Sequence, residues 1–272
     1  MSIKADLHLH SSFSGDSQAS MESMIEKAIQ LGLEHVCFTE HMDFDYPITE
    51  RTPLGYFDLN TDSYLFDILK YRNKYRDRIK VHFGVELGLQ SYLIEEQTDF
   101  CNSKPFDFII GSSHLLRRED PYFPEYWVGR DEEKTYHDYF ASIIENLEDT
   151  IDIDVYGHID YIVRYGPNQD KFYTFEKYRE ELEYILDLLI EKGIGLEVNT
   201  GGIGYGLKDL HPSREILTRY REKGGQIITI GSDAHTPEAM ARSFDRAEQL
   251  LKECGFQYYS VFEKRNPYFY KL

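Results

Sequence analysis

Two histidines and an aspartate near the N-terminus are spaced so that one strand would present them together. Residues 6–10 read Asp-Leu-His-Leu-His. Alternate side chains of an extended strand point to the same face, so Asp6, His8 and His10 would lie on one side and the two leucines on the other. A His-x-His pair also occurs for ordinary packing or hydrogen bonding, so this pair alone does not define a metal site.

Similar polar residues recur where other predicted strands end. The chain has ten histidines, and six of them fall at such ends. Imidazole and carboxylate ligands without thiolate suit zinc, manganese or iron at a hydrolytic site, and the choice among these metals stays open. The pattern therefore predicts a metal-dependent hydrolase. Beyond the first strand, its residues are Glu40, His41, Glu86, His114, His158, Asp233 and His235.

Not every histidine belongs to this set. His35, His82, His137 and His211 lie away from the predicted strand ends, and we expect structural roles for them. In the second strand, alternation puts Cys37, Thr39 and His41 on one face and Glu40 on the other. Because Cys37 and Thr39 are small enough for a barrel interior, His41 is the predicted inward ligand of that strand.

Strands and helices alternate along the whole sequence. Helix 174–192 is the clearest, because its apolar residues follow a 3.6-residue period and Gly193 ends it. The alternation predicts a parallel α/β sheet, and polar residues at strand carboxyl ends favour a closed barrel over an open sheet. The predicted strands are 3–10, 35–41, 80–87, 106–114, 152–159, 194–200 and 226–232. The other predicted helices are 20–31, 61–78, 132–147, one opened by Pro212, and 236–255.

Length, charge and cysteine content limit the function classes. A chain of 272 residues suits one barrel domain, which we expect to span 1–272, with disorder only at the last few residues. The net charge of −18 disfavours nucleic acid as a partner, since long polyanions require a basic surface. No apolar run of about 18 residues and no leader are present, which predicts a soluble cytoplasmic protein without a membrane segment. The three cysteines form no motif, and the oligomeric state stays open.

The strand-end motifs also carry a family resemblance. Their order resembles the polymerase and histidinol phosphatase (PHP) superfamily over nearly the whole chain, and the extra motifs at residues 11–16 and 157–160 look most like its histidinol-phosphate phosphatases. The motifs are Asp6-Leu-His-Leu-His10, Thr39-Glu-His41, Gly84-Val-Glu86, Gly111-Ser-Ser-His114, Gly157-His-Ile-Asp160 and Gly231-Ser-Asp-Ala-His235.

This resemblance implies a distorted seven-stranded (β/α)7 barrel with three divalent metal ions (Zn, Mn or Fe) at its mouth. One ion would bind His8, His10, Glu86 and Asp233. A second would share Glu86 and bind His114 and His158, and the third would bind His41, His235 and Asp16. Asp6 and Glu40 are then candidates to orient the ligating imidazoles, as carboxylates commonly do in metal sites.

The implied activity is hydrolysis of L-histidinol phosphate to L-histidinol and phosphate in histidine biosynthesis. The hypothesis is that a hydroxide bridging two ions attacks phosphorus, with Asp233, His235 and Glu86 as the catalytic group and Asp233 helping to deprotonate the water. Arg117 and Arg164 are candidate phosphate contacts because each follows a ligand-bearing strand end, although either could be a solvated surface charge. Ser14 and Asp160 are further predicted substrate contacts. For the histidinol moiety, Asp160, Glu119 and the aromatic loop 115–130 remain open choices, and this loop could also act as a lid.

Three alternatives remain. The enzyme could act on another small phosphomonoester, such as phosphotyrosine or a nucleotide. The chain could be a structural PHP module of the kind attached to polymerases, although such modules usually lose ligands and all nine expected positions are filled here. It could also be an unrelated amidohydrolase barrel that begins with His-x-His.

Overall fold

A single sheet of parallel strands curls into a nearly closed barrel. The computed structural model describes residues 2–149 and 152–272. Seven strands neighbour one another in chain order. Where the last meets the first, the Asp233 amide donates to the His8 carbonyl at 2.9 Å and the His10 amide to the Ala234 carbonyl at 3.0 Å. The predicted seven-stranded α/β barrel is confirmed. The strands are β1 (Ala5–Leu9), β2 (His35–Met42), β3 (Lys80–Gly88), β4 (Phe108–Ser112), β5 (Val155–Tyr156), β6 (Gly195–Asn199) and β7 (Ile228–Gly231).

Helices follow the strands and pack their apolar faces on the barrel. Their ends have local causes: the Ser20 side chain accepts a hydrogen bond from the Ser23 amide at the start of the first helix, and Gly193 ends the fifth in the left-handed region at φ 70°. Of the described helices, none is long and apolar enough to cross a membrane. The α-helices are α1 (Met21–Gln30), α2 (Thr61–Lys74), α3 (Ile94–Ser103), α4 (Glu132–Glu148), α5 (Arg179–Lys192), α6 (Arg214–Glu222) and α7 (Phe244–Glu253).

Two elements differ from the sequence prediction. β5 has only two residues, because the Asp154 carboxylate rather than a backbone carbonyl accepts from the Ile109 amide at 2.7 Å. The helix predicted from residue 236 is a 3₁₀ turn at Pro237–Ala239, and α7 begins only at Phe244. Between them Ala241 adopts φ 51°, and its amide donates to Asp6 Oδ2 at 3.1 Å, which draws the chain out of the helical path.

The last residues, the one place where the sequence left room for disorder, are ordered to the end as an antiparallel hairpin of β8 (Tyr258–Glu263) and β9 (Asn266–Lys271). Lys264 and Arg265 both have positive φ, as a tight two-residue hairpin turn requires. Phe262 stacks on Phe108 with ring centroids 5.0 Å apart. The hairpin therefore covers the amino-terminal ends of the barrel strands, which we call the floor.

Arg265 is the main polar attachment of the hairpin. Its Nε donates to Asp154 Oδ2 at 2.6 Å, and its backbone amide donates to the Asp107 carbonyl at 2.9 Å. Burial raises the pKa of Asp154 to about 6, even though Arg265 opposes this shift. The ion pair therefore offsets the cost of a largely buried carboxylate.

We expect Arg265→Ala to lower the free energy of unfolding by about 2–3 kcal/mol at pH 8, because Asp154 loses its cation. Without Arg265 the folded-state pKa of Asp154 rises further above the unfolded value. Stability from that proton is present at low pH and is lost as pH rises through the folded pKa, so the deficit should be smaller at pH 5 than at pH 8. Urea unfolding at both pH values measures this. Arg76→Ala is the control, because the Arg76 side chain is 71% exposed. A deficit that grows on acidification would contradict the prediction.

Candidate metal centre

The carboxyl ends of the strands surround a cavity of about 590 Å³. The imidazoles and carboxylates singled out from the sequence meet at its base. The nine predicted ligands come from six of the seven strand ends and from the loop after β1, and they converge on one carboxylate.

That carboxylate is Glu86 at the end of β3, which is fully buried. Its Oε1 also accepts a hydrogen bond from the Ser112 hydroxyl at 2.7 Å, which fixes its orientation. Five imidazoles surround it. Their distances to a Glu86 oxygen are 3.0 Å for His8 Nε2, 3.4 Å for His10 Nε2, 3.2 Å for His41 Nδ1, 3.1 Å for His114 Nε2 and 2.9 Å for His158 Nε2.

Asp233 completes the group formed by the first strand. Its Oδ1 lies 3.7 Å from His8 Nε2 and 3.6 Å from His10 Nε2. Asp233 has φ 57°, an uncommon conformation for a residue other than glycine and one that is often found at functional sites. Gly231, two residues before Asp233, lets β7 approach β1 this closely, because a Cβ at residue 231 would lie 2.2 Å from the His8 Cβ.

A third group lies nearer the opening. Asp16 Oδ2 is 3.5 Å from His41 Nε2 and 3.1 Å from His235 Nε2. The His10 ring lies beside those of both His41 and His235, with its centroid 4.2 Å from each, and those two centroids are 5.8 Å apart. The structure thus brings together all three residue groups that the resemblance implied.

The donor atoms fit divalent cations. Several buried atoms have no hydrogen-bond partner among the described residues, a costly state unless an ion or water satisfies them. Four of these atoms face one another at the base of the cavity. They are His8 Nε2, His10 Nε2, His41 Nδ1 and Glu86 Oε2.

The electrostatics point the same way. Burial alone would raise the pKa of Glu86, but His8, His114 and His41 outweigh it and hold that pKa well below its usual range. Burial and the neighbouring His235 and His41 hold the pKa of His10 well below its usual range, which leaves the imidazole neutral. Around four of the other rings the neighbouring carboxylates outweigh burial: they raise the pKa of His8, His41 and His114, and Asp16 raises the pKa of His235 to about 9. A divalent ion at these ionised carboxylates would therefore displace protons from these imidazoles.

The carboxylates in direct contact with these imidazoles are not the expected Asp6 and Glu40, although Glu40 reaches His10 Nδ1 through the Ser14 hydroxyl. Asp6 accepts from the Ser232 amide and hydroxyl, and Glu40 accepts from Ser11 and Ser14. Glu197 and Asp43, which the sequence analysis missed, contact ligand imidazoles instead. Their acceptor distances are 2.6 Å from His8 Nδ1 to Glu197 Oε1 and 2.8 Å from His114 Nδ1 to Asp43 Oδ1. A signal was available: Glu197 is a carboxylate near the carboxyl end of the one strand to which no ligand was assigned.

Glu197→Gln is expected to weaken metal affinity by about 10–100-fold, because the neutral amide has one acceptor oxygen where the carboxylate uses two, one toward His8 Nδ1 at 2.6 Å and one toward the His158 amide at 3.0 Å. Metal titration of the apoprotein measures the change. Glu181→Gln is a matched control, since Glu181 makes the same 2.6 Å contact with a histidine, His137, away from the cavity. Equal affinities in the two variants would exclude this role for Glu197.

The four predicted substrate contacts fall in different places. Arg164 lines the cavity and is buried, whereas Arg117 forms a two-point ion pair with Glu145 outside it. Arg117 adopts φ 53° in the tight turn after Leu116, and its side chain points to Glu145 instead of into the mouth. We therefore do not retain Arg117 as a phosphate contact.

Ser14 and Asp160 are buried, but the side chains around them occupy their polar atoms. The Ser14 hydroxyl donates to Glu40 at 2.6 Å and lies 3.2 Å from His10 Nδ1, so it positions a ligand. Asp160 lies 2.5 Å from His211 Nδ1 and accepts from the Ser213 amide. Both residues support the walls of the site rather than face the cavity.

The rim of the cavity is aromatic and carries both signs of charge. Loop 115–130 contributes Tyr122 and Phe123 to the lining, while its Tyr126 and Trp127 are buried in the core, so it both lines the mouth and packs on the barrel. Arg242, which we did not single out, also lines the cavity. Glu119 pairs with Arg130 instead. The acidic residue of the rim is Asp120, whose carboxylate accepts from the Tyr46 hydroxyl.

A parallel barrel that collects six imidazoles and three carboxylates at its mouth defines the class of metal-dependent hydrolases. A model of the PHP domain family matches residues 6–201. The chain therefore belongs to the PHP domain family, and the predicted membership is confirmed.

Relatives cover nearly the whole chain. A histidinol-phosphatase of Lactococcus lactis is 33% identical over 260 residues, which are 95% of this chain and 94% of the relative. A histidinol-phosphatase of Bacillus subtilis is 24% identical over 92% of this chain and 99% of the relative. The crystal structure of the L. lactis histidinol phosphate phosphatase, complexed with zinc, L-histidinol and phosphate, has a TM-score of 0.87 at 31% identity. It covers 97% of this chain and 98% of that chain.

Proposed function

We propose that this protein is a metal-dependent phosphatase that hydrolyses L-histidinol phosphate to L-histidinol and phosphate in histidine biosynthesis. The observation that carries the proposal is the match over 97% of the chain to a structure that holds zinc, L-histidinol and phosphate. The convergent ligands at the same end of this barrel supply the chemistry that such a reaction needs. We further propose that 1–272 acts as one domain in the cytoplasm on a small phosphorylated substrate and not on nucleic acid.

The metal complement we propose is three divalent ions of zinc, manganese or iron. The first would bind His8, His10, Glu86 and Asp233, and the second would share Glu86. Bound ions would supply Lewis acidity that makes water nucleophilic near neutral pH and offsets the charge of the phosphoryl oxygens. The remaining proposed ligands are His114 and His158 for the second ion, and Asp16, His41 and His235 for the third.

The protein's own groups have separate tasks in this proposal. Arg164 binds a phosphoryl oxygen, because its buried guanidinium faces the cavity and matches phosphate geometry. Asp233 accepts the proton of the attacking water. Its Oδ2 is held by Arg164 at 3.0 Å, which keeps it on the cavity side of the ligand cluster. The water oxygen bonds to phosphorus as the phosphorus–oxygen bond to the alcohol breaks, and the proton held by Asp233 passes to the departing oxygen, which gives L-histidinol and phosphate. Glu86 and His235 hold the cluster throughout.

Recognition of the histidinol moiety falls to the rim. Asp120 is the proposed partner of the ammonium group, because it lines the cavity, whereas Asp160 pairs with His211 and Glu119 with Arg130 outside the lining. Tyr161, Tyr165 and Tyr205 offer aromatic faces to the substrate imidazole. Phosphotyrosine carries its ammonium group beyond an aromatic ring, farther from the phosphate, and nucleoside monophosphates carry no primary ammonium, so neither would pair with Asp120 in the same way.

A substrate panel tests this proposal. We expect L-histidinol phosphate to exceed phosphotyrosine and nucleoside monophosphates by about 100-fold or more in kcat/KM, because only L-histidinol phosphate would place an ammonium group at the Asp120 carboxylate while its phosphate lies at the metal centre. Phosphate release measured in parallel for the purified, metal-loaded protein gives the comparison. A nucleotide or phosphotyrosine as the best substrate would favour the alternative phosphoesterase.

Removal of metal is expected to abolish activity while the barrel stays folded, because the ligands lie at one end of a large apolar core. Dialysis against a chelator, followed by addition of zinc or manganese, should remove and then restore turnover. Circular dichroism before and after dialysis checks the fold. Full activity in protein shown by element analysis to be metal-free would rule out metal-dependent hydrolysis.

A further inference from the structure

A second group of potential metal ligands lies on the floor of the barrel, away from the mouth. His35 begins β2 and His82 lies near the start of β3, and both side chains are almost fully buried. Glu263 is the last residue of β8 in the hairpin that covers this end. We propose that His35, His82 and Glu263 bind a divalent transition-metal ion such as zinc, which fastens the C-terminal hairpin to the barrel. This inference does not depend on the proposed function.

The geometry of the two imidazoles supports the proposal. His35 Nδ1 and His82 Nε2 lie 3.0 Å apart, and the rings are nearly parallel, with an interplanar angle of 7°. Two nitrogens bound to one zinc at about 2.0–2.1 Å are separated by roughly 3 Å or slightly more. The pair therefore already has close to the spacing of a chelate. The ion would replace the hydrogen that the two rings now share.

Glu263 supplies the third ligand with a small adjustment. One potential ligand atom from each of the three residues lies within 4.8 Å of the others. Glu263 Oε1 accepts from Lys80 Nζ at 2.8 Å, so Lys80 competes with an ion for this carboxylate. The side chain is 36% exposed at the hairpin edge and can close the remaining distance. Two imidazoles, one carboxylate and an open position form a ligand set that zinc accepts.

The site is independent of the mouth because of strand geometry. His35 and His41 share the inward face of β2 and are six residues apart, which is roughly 20 Å along a strand. Cys37 and Thr39 fill the interior between them. An ion on the floor would therefore contact no residue of the catalytic cluster.

The charge state of the ligands is compatible with metal binding near neutral pH. Burial lowers the pKa of His35, and it lowers the pKa of His82 to about 4. The Lys80 ammonium, followed by the nearby imidazoles, lowers the pKa of Glu263. Two neutral imidazoles and one carboxylate therefore face the proposed ion, with Lys80 as the only cation bonded to them among the described residues.

The test counts zinc ions in the full-length enzyme after its mouth has been saturated. Wild type, His82→Gln, Glu263→Gln and Lys80→Met are dialysed against buffered zinc, and bound zinc is measured by element analysis. We expect wild type to hold one more ion per chain than His82→Gln. Glu263→Gln should lower the affinity for that ion by about tenfold or more. Lys80→Met should bind the ion as tightly as wild type or more tightly.

Two readouts separate this site from the mouth. The kcat/KM of the metal-loaded variants should stay within about twofold of wild type, and limited proteolysis should release the hairpin faster in Glu263→Gln than in wild type at equal zinc. If His82→Gln does not fold, Glu263→Gln still decides, because its side chain is partly exposed. Equal zinc content and affinity in wild type, Glu263→Gln and Lys80→Met would overturn the proposal.

Discussion

Glu86→Gln is expected to lower kcat/KM by on the order of 10³-fold or more and to remove more than one metal ion per chain. Five imidazoles face this one carboxylate at 2.9–3.4 Å. Glutamine has nearly the same shape, but it is neutral and turns an amide N–H toward imidazole nitrogens. It therefore removes the negative charge shared by the first two proposed ions without opening a cavity.

Element analysis and steady-state kinetics on the same preparations measure both effects. Glu96→Gln is the control, because Glu96 is exposed on α3 and the substitution is chemically identical. A folded Glu86→Gln protein with the wild-type metal content and kcat/KM would show that Glu86 is a structural acid and would remove the basis for the shared-ligand arrangement.

The sequence could predict this cluster because all strands of a parallel barrel end at the same rim, whatever their order in the chain. His114 and His158 each follow a strand, so they could be predicted to lie at one rim from the sequence alone. Periodicity likewise predicted the helix 174–192, which α5 matches from Arg179 to its end at Gly193, although Phe175–Tyr178 form a 3₁₀ turn. Features set by alternation or by local caps were therefore accessible from the sequence.

The orienting carboxylates were not accessible in this way. Alternation assigned Asp6 to the face of His8 and His10, but the register of β1 against β2 shifts between Asp6 and Leu9. Asp6 then meets Ser232 and Ala241 instead of an imidazole. Which carboxylate reaches which ring nitrogen depends on such irregularities and on barrel closure, neither of which the residue pattern specifies.

The same limit applies to the two arginines. Arg117 and Arg164 each follow a ligand-bearing strand end by a few residues, and the sequence does not distinguish them. In the structure, the 3₁₀ turn Tyr161–Arg164 places Arg164 in the cavity lining, while the Arg117 side chain points outward to Glu145. Loop direction beyond a strand end depends on tertiary packing, and here it decides which cation can reach substrate.

Arg164→Met is expected to reduce kcat/KM by roughly 10²–10³-fold, as for loss of one preorganised donor to a charged transition state. The guanidinium is held by Asp233 Oδ2 at 3.0 Å and Asn199 Oδ1 at 2.8 Å. The rings of Tyr161 and Tyr205 each lie 5.3 Å from its centre. These contacts hold the Arg164 guanidinium in one position before substrate binds, so little side-chain entropy is lost when phosphate binds.

Two further variants show whether Arg164→Met loses activity through the missing charge or through the missing guanidinium geometry. Arg164→Lys keeps the charge but not the planar fork, so it should recover only part of the activity. Arg117→Met removes an equivalent cation from outside the cavity and should stay within about twofold of wild type, since exposed ion pairs contribute little. Inhibition by inorganic phosphate should weaken in the two Arg164 variants in the same order as kcat/KM. If Arg117→Met loses as much activity as Arg164→Met, or if phosphate inhibits all of these proteins equally, Arg164 does not bind the phosphoryl group.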